Sequence, residues 1–223
     1  AVFNVYAVCQ TDHGVADDTA VRQSKLALEG RAYPLFRYNP DKGPTLKECT
    51  DLDGNPAVEA DWPMYKLDYL DENGAAASME LPLTFADFAF SEGRFRKHFR
   101  PVPREFGDDN LVPLNEYLDL AEDEIQGRFP FLWAVDKHNH LTRVLVAPEM
   151  VRACAERRGF WRLLKSLTGA GNGIDADAIA AAARNEMAQQ LEAAIHSITG
   201  DGHAGTAGAT PAAAGASLPA MAG

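Results

Sequence analysis

The sequence predicts an α/β fold: a β-α-β unit at the start, a mixed α+β extension behind it, and a disordered tail. Three observations predict it. An apolar, β-rich run (Val2 to Val8) is followed by a helical stretch and a second short strand, Leu35 to Tyr38. Alternating apolar and polar segments with turn signals between them recur from Tyr65 to Val146. From Gly200 onward the chain is Ala, Gly, Thr and Pro with almost no charge, a composition that cannot build a core. These divide the chain into 1–43, an extension over 44–168, a linker and terminal helix over 169–199, and the tail, 200–223.

Each element has a local reason. Val2–Val8 delivers Cys9 to a strand end, and Gln10-Thr11-Asp12-His13-Gly14 turns the chain. Asp17 or Asp18 caps a helix running to Glu29, with Gly30 as its stop and Val21, Ser24, Lys25 and Leu28 on its inward face. Asn39-Pro40 ends the strand at Tyr38. Two strands joined by a helix pair in parallel, so this unit is expected at one end of a larger sheet. Residues 41–63, rich in Pro, Gly, Asp and Asn, read as an irregular excursion. Tyr65, Leu67 and Tyr69 define a strand, Asn73-Gly74 a tight turn, and Ser78–Leu81 its return. Thr84 and Asp87 have the spacing of a capping box for a helix with Phe85, Phe88 and Ala89 inward, extended by Phe95 and Phe99. Pro113–Leu120 reads as a short helix. Phe131–Val135 and Leu141–Val146 form a hairpin around a polar tip, Asp136 to His140. Pro148 then opens a helix striped with Met150, Val151, Cys154, Trp161 and Leu164. After the linker Gly169–Gly173, Asp175 caps a last helix carrying Ile179, Met187, Leu191, Ala194, Ile195 and Ile198 on one side.

Composition narrows the function. The chain has 223 residues and a formal net charge of −11, which argues against a nucleic-acid partner, since those need a basic footprint. No apolar run approaches the roughly 20 residues of a membrane span, and no basic-then-apolar leader opens the chain. The expectation is a cytoplasmic protein with no membrane contact. Cys9, Cys49 and Cys154 are odd in number and far apart, unlike a disulfide framework. A strand starting at residue 1 without an initiator Met reads as a piece of a longer enzyme.

Few residues are arranged for chemistry. There is no nucleophile elbow, phosphate loop or paired metal-ligand run. Gly169-Ala170-Gly171 lacks the strand and spacing of a nucleotide fingerprint. His138 and His140 share the hairpin tip with no third ligand near in sequence. Cys154, on an apolar stripe, reads as a core residue. Arg94, Arg96, Lys97, His98 and Arg100 are the one basic cluster, either a solvated face balancing nearby acids or a contact for an anionic partner. Cys9, before a glycine-containing turn, is open between a structural and a functional thiol.

Several strings share one resemblance. Val5-Tyr6-Ala7-Val8-Cys9, His13-Gly14, Gln23 to Glu29 (QSKLALE) and Tyr33 to Pro40 (YPLFRYNP) resemble the C-terminal part of the pyruvate:ferredoxin (flavodoxin) oxidoreductases, within the 2-oxoacid:acceptor oxidoreductases. The resemblance is strong over residues 2–43, weaker over 44–168 and absent beyond. It implies that residues 1–43 close a thiamine-diphosphate-binding parallel-sheet domain. It also implies that Cys9 is the remote fourth thiolate of the [4Fe–4S] cluster nearest the thiamine. Val8 stands where the family has Pro, and three residues, one more than usual, separate Cys9 from His13. His13 is left to orient the turn, face the cofactor or serve as a structural histidine.

The family's Gly-Asp-Gly…Asn segment for magnesium and diphosphate is absent from this sequence, as are the other cluster cysteines. The implied function is therefore that of a fragment, inactive alone. Its parent would convert pyruvate and coenzyme A to acetyl-CoA and carbon dioxide and pass electrons to ferredoxin or flavodoxin. The implied partners are the remainder of that enzyme and a second subunit of a homodimer. The rival reading is a non-catalytic scaffold or interaction subunit derived from the same region. An independent thiol-redox protein lacks a partner cysteine.

Overall fold

The computed structural model describes residues 1–103, 106, 107 and 109–170. These lie in a unit bounded by Ala1–Ala176. The predicted helix over 175–198 and the tail over 200–223 lie outside the described residues, as does most of the glycine linker.

The chain opens with nine residues outside any helix or sheet, then a single turn, α1 (Gln10–His13). Gly14 ends α1 in the left-handed region, φ 65°. A 310 turn over Asp17–Thr19 feeds α2 (Ala20–Glu29), which stops at Gly30 as the sequence predicts. A small antiparallel pair follows, β1 (Arg37–Tyr38) with β2 (Thr50–Asp51), enclosing a 310 turn at Pro40–Lys42 and α3 (Leu46–Cys49). Thr45 and Glu48 cap α3 reciprocally.

The hairpin β3 (Met64–Leu70) and β4 (Ala76–Pro82) is as predicted, in register from Met64↔Pro82 to Leu70↔Ala76. Next comes α4 (Phe85–Phe90), then a 310 segment, Gly93–His98. At the start of α4 the Asp87 carboxylate accepts hydrogen bonds from the Thr84 backbone N–H (2.7 Å) and hydroxyl (2.6 Å). The remaining strands are β5 (Phe99–Pro101), β6 (Leu111–Pro113), β7 (Phe129–Val135) and β8 (Leu141–Val146), with α5 (Leu114–Tyr117) after β6. They form one sheet in the order β5-β8-β7-β6, in which β6 alone runs parallel to its neighbour. The long helix α6 (Pro148–Thr168) has Pro at its first turn and left-handed Gly169 at its end.

The core follows from the strand period. One face of the four-stranded sheet carries Phe99, Leu132, Ala134, Val144 and Val146, all buried. Against them pack Phe85, Phe88 and Ala89 of α4, Met150 and Cys154 of α6 and Ala27 of α2. The predicted α6 stripe is borne out, with Met150, Cys154, Trp161 and Leu164 buried and Val151 partly so. A second cluster gathers Leu52, Trp161 and Leu164. Each large side chain buried this way contributes about 1.5–3 kcal/mol.

Arg31, with none of its surface exposed, holds this second region together. Its guanidinium lies over the Trp161 ring at 3.8 Å. It donates to the carbonyls of Pro56 (2.9 Å), Ala57 (2.9 Å) and Asp61 (3.1 Å), and burial lowers its pKa to about 10. The Asp61 carboxylate is held in turn by Arg162 and Lys165. Here the irregular excursion acquires its structure: a buried cation organises loop carbonyls that have no sheet partner.

Three expectations are corrected. Val2–Val8 is not a strand, because no other strand of the described residues lies beside it. Val2, Phe3 and Val5 are 97%, 85% and 77% exposed. The second strand of the supposed parallel unit pairs antiparallel with β2, so no β-α-β unit forms among the described residues. The fold shown is mixed, with both parallel and antiparallel pairing. The inward face of α2 is Gln23 and Ala27, while Val21 is 84% exposed. Gln23 turns inward because Ser91 and Glu92 satisfy its amide.

Candidate functional site

Cys9 stands at the N-cap of α1 rather than at a strand end. It is exposed, whereas Cys49 and Cys154 are buried. Its backbone carbonyl accepts the His13 N–H at 2.9 Å, so one closed helical turn separates the thiol from His13.

His13 is buried, with its imidazole beside Glu92. Glu92 is 1% exposed and lies just beyond α4. Its Oε1 accepts from the Tyr6 hydroxyl (3.2 Å) and the Gln23 amide (3.1 Å), and its Oε2 from Arg94 Nε (2.5 Å). His13 Nδ1 lies 3.3 Å from Oε1 and 3.3 Å from the Tyr6 oxygen. The Tyr6 hydrogen is committed to Glu92, so Nδ1 is assigned as the protonated nitrogen. The His13 and Tyr6 rings stack with centroids 5.7 Å apart. Burial, and then the Glu92 charge, push the Tyr6 phenol up to about 12. A buried carboxylate is costly unless its lone pairs are filled. Here four side chains surround it: Tyr6, His13 and Gln23 from the start of the chain and Arg94 from two residues on.

Beside this network an open cleft of about 510 Å³ is lined by Tyr6, His13, Tyr33, Phe88, Arg94 and Arg157, among others. Arg157 lies over Phe85 at 5.5 Å and Arg94 over Phe95 at 4.7 Å.

Other candidates fall away from this site. The Cys154 thiol is fully buried, and burial holds its pKa well above the ordinary thiol value. Cys49 donates to the Gly43 carbonyl at 3.0 Å. His138 is exposed on the hairpin tip, while His140 Nδ1 lies 3.4 Å from the Leu70 carbonyl. The basic cluster divides. Arg94 neutralises Glu92, the balancing role, whereas Lys97, His98 and Arg100 line a separate cleft of about 590 Å³ with Phe129, Leu145 and Pro148.

Among the described residues, no group of three or more His, Cys, Asp or Glu is placed to hold a metal ion. Cys9 is one exposed thiol, and an iron–sulfur cluster bound through it would need ligands from elsewhere. Sequence reasoning singled out Cys9 and left His13 without an assigned role, and it did not anticipate Glu92 or its contacts with Tyr6 and Gln23. Gln23 and Tyr6 lie 69 and 86 residues from Glu92 along the chain, so no local spacing announces them.

No family model, curated protein or solved structure matches the chain. Among the described residues, no helix is long and apolar enough to cross a membrane.

Proposed function

We propose that this chain is the C-terminal portion of a pyruvate:ferredoxin (flavodoxin) oxidoreductase-type enzyme, and that Cys9 supplies one thiolate to a [4Fe–4S] cluster whose other ligands lie elsewhere in that enzyme. The observation that carries it is the presentation of Cys9: an exposed thiol, on a fixed turn, within the segment whose strings resemble that family. Two features support it. Val2, Phe3 and Val5 extend ahead of Cys9 with their apolar side chains uncovered, as a strand does when its sheet belongs to another part of a protein. The Tyr33–Pro40 string contains β1, whose pairing with β2 ties the segment to the extension.

Held in part by Cys9, such a cluster would supply one-electron transfer between the thiamine cofactor and the external acceptor. The chain's own contribution is to hold one ligand and to pack the extension beside it. Alone it has no oxidoreductase activity, because a single thiolate cannot retain the cluster. The scaffold reading rests on a different observation: the buried residues of the core shared by α4, α6 and the four-stranded sheet all lie beyond residue 9, and of residues 1–9 only Tyr6 packs against them.

The test is Cys9→Ser in the intact enzyme. Iron content falls by one cluster's worth, and the low-temperature EPR spectrum of the reduced enzyme loses or alters the corresponding signal, while thiamine diphosphate still binds. Unchanged iron and an unchanged spectrum would leave the scaffold reading standing in its place.

A further inference from the structure

We propose that Glu92 and Gly93 are positioning residues for Cys9, gripping the far end of the turn that presents its thiol. The inference rests on Cys9 being the cluster ligand proposed above. It gives the extension, residues 44–168, a specific part in a site whose ligand lies some eighty residues earlier.

The geometry is a two-point grip. At the first point, Glu92 Oε1 lies 3.3 Å from His13 Nδ1, and the imidazole is stacked on Tyr6, which donates to the same carboxylate oxygen. At the second, Gly93 N–H donates to the Gly14 carbonyl at 3.3 Å. The two glycines touch so closely that a methyl on Gly14 would sit 2.9 Å from Gly93 Cα, and one on Gly93 would sit 2.9 Å from the Gly14 oxygen. Consecutive residues 13 and 14 thus meet consecutive residues 92 and 93. One contact fixes distance, and two side by side fix orientation. Glu92 is not free to swing, because Gln23 and Arg94 hold its two oxygens from either side. Cys9 lies one helical turn away, about 5 Å along the axis, and the Cys9–His13 backbone bond makes that turn stiff. A ligand to a rigid cluster has to be placed to within a few tenths of an ångström.

A nitroxide methanethiosulfonate label on Cys9 tests this in the full chain, since the buried Cys49 and Cys154 are shielded from the reagent. The unmodified chain gives a predominantly immobile EPR spectrum. Glu92→Ala and Gly93→Ala raise the ratio of mobile to immobile label by about tenfold. Far-UV circular dichroism stays unchanged, as does the spectrum of a control label at Ser78 in the Cys9→Ser/Ser78→Cys chain. Glu92→Gln, which keeps the acceptor for Tyr6 and Gln23, restores most of the immobile component. Should Glu92→Ala fail to fold, Gly93→Ala carries the test, because it leaves the carboxylate and its partners in place. An immobile label in folded Gly93→Ala overturns the positioning role, whatever Cys9 binds. Unchanged iron in the Cys9→Ser enzyme overturns the ligand reading instead, so the two failures are told apart.

Discussion

Asp87 is the residue on which pH acts most directly. Its carboxyl is buried at the start of α4, where it accepts from Thr84 and from the Tyr65 hydroxyl at 3.2 Å. Burial outweighs these bonds and raises its pKa from 3.8 to about 6. The folded state therefore binds this proton more tightly than the unfolded one. The resulting stabilisation is complete below about pH 4 and is lost as pH rises through about 6. Its full size is about 3 kcal/mol, from about 1.4 kcal/mol per pH unit of displacement. Asp87→Asn keeps an acceptor for Thr84 but has no proton to lose. Urea titrations at pH 4 and pH 7 are expected to show the Asn variant gaining about 2–3 kcal/mol on the unmodified chain between the two. A gap independent of pH would show that Asp87 titrates alike in both states. Neither this behaviour nor the roles of Glu92 and Arg31 was legible in the sequence. Thr84 and Asp87 announce a cap by their spacing, but burial is set by α6 and the sheet folding over them.

At the scale of elements, two glycines separate backbone strain from packing. Gly74, at the β3–β4 turn, and Gly14, at the end of α1, both have left-handed φ, 75° and 65°. A methyl on Gly74 meets nothing within 4 Å, whereas one on Gly14 meets Gly93 Cα at 2.9 Å. Gly74→Ala therefore costs the left-handed penalty alone, about 1–2 kcal/mol. Gly14→Ala costs that plus the separation of α1 from the Gly93 corner, so its loss in denaturant titrations is the larger by 1 kcal/mol or more. Equal losses would mean that the corner yields without cost, and would weaken the case for a grip on Cys9. Elements closed by neighbouring residues were the legible ones: the β3–β4 hairpin from its alternation and Asn-Gly turn, the β7–β8 hairpin from its polar tip, α6 from Pro148 and its stripe. The β-α-β unit was not, since a strand is defined by its neighbour. Val2–Val8 has strand composition without a partner strand, and Arg37–Tyr38 found Thr50–Asp51 instead. The face of α2 was misread for a related reason. A hydrophobicity pattern ranks Val21 above Gln23, but Glu92 and Ser91 offer Gln23 better terms than the core offers Val21.

Across the described molecule, three of the four most exposed large apolar side chains, Val2, Phe3 and Val5, lie at the start, while the extension closes around its own core. A sheet face and two helices bury Phe88, Leu132, Val144 and Cys154, and Arg31 ties the excursion to Trp161. Residues 1–14 are attached to that body through Tyr6, His13 and Gly14, yet leave Val2, Phe3 and Val5 facing outward. Scattered apolar side chains on a surface are ordinary, but three within four residues on a segment outside any helix or sheet leave backbone able to pair. If this segment is meant for the rest of an enzyme, the 223-residue chain on its own should use it for something else. Sedimentation velocity is expected to show concentration-dependent association of the unmodified chain. The Phe3→Glu/Val5→Glu variant should remain at the monomer value over the same range, because a charge on each side chain opposes burial against a second copy. Hydrogen exchange locates the effect: slowing at residues 2–8 with rising concentration in the unmodified chain, and none in the variant. Association that persists in the variant would move the contact to another surface, with the cleft of Phe129, Leu145 and Pro148 next to be examined. A chain monomeric throughout, with fast exchange at residues 2–8, would mean that the segment needs no cover, and would remove one of the two supports for reading this chain as part of a larger enzyme.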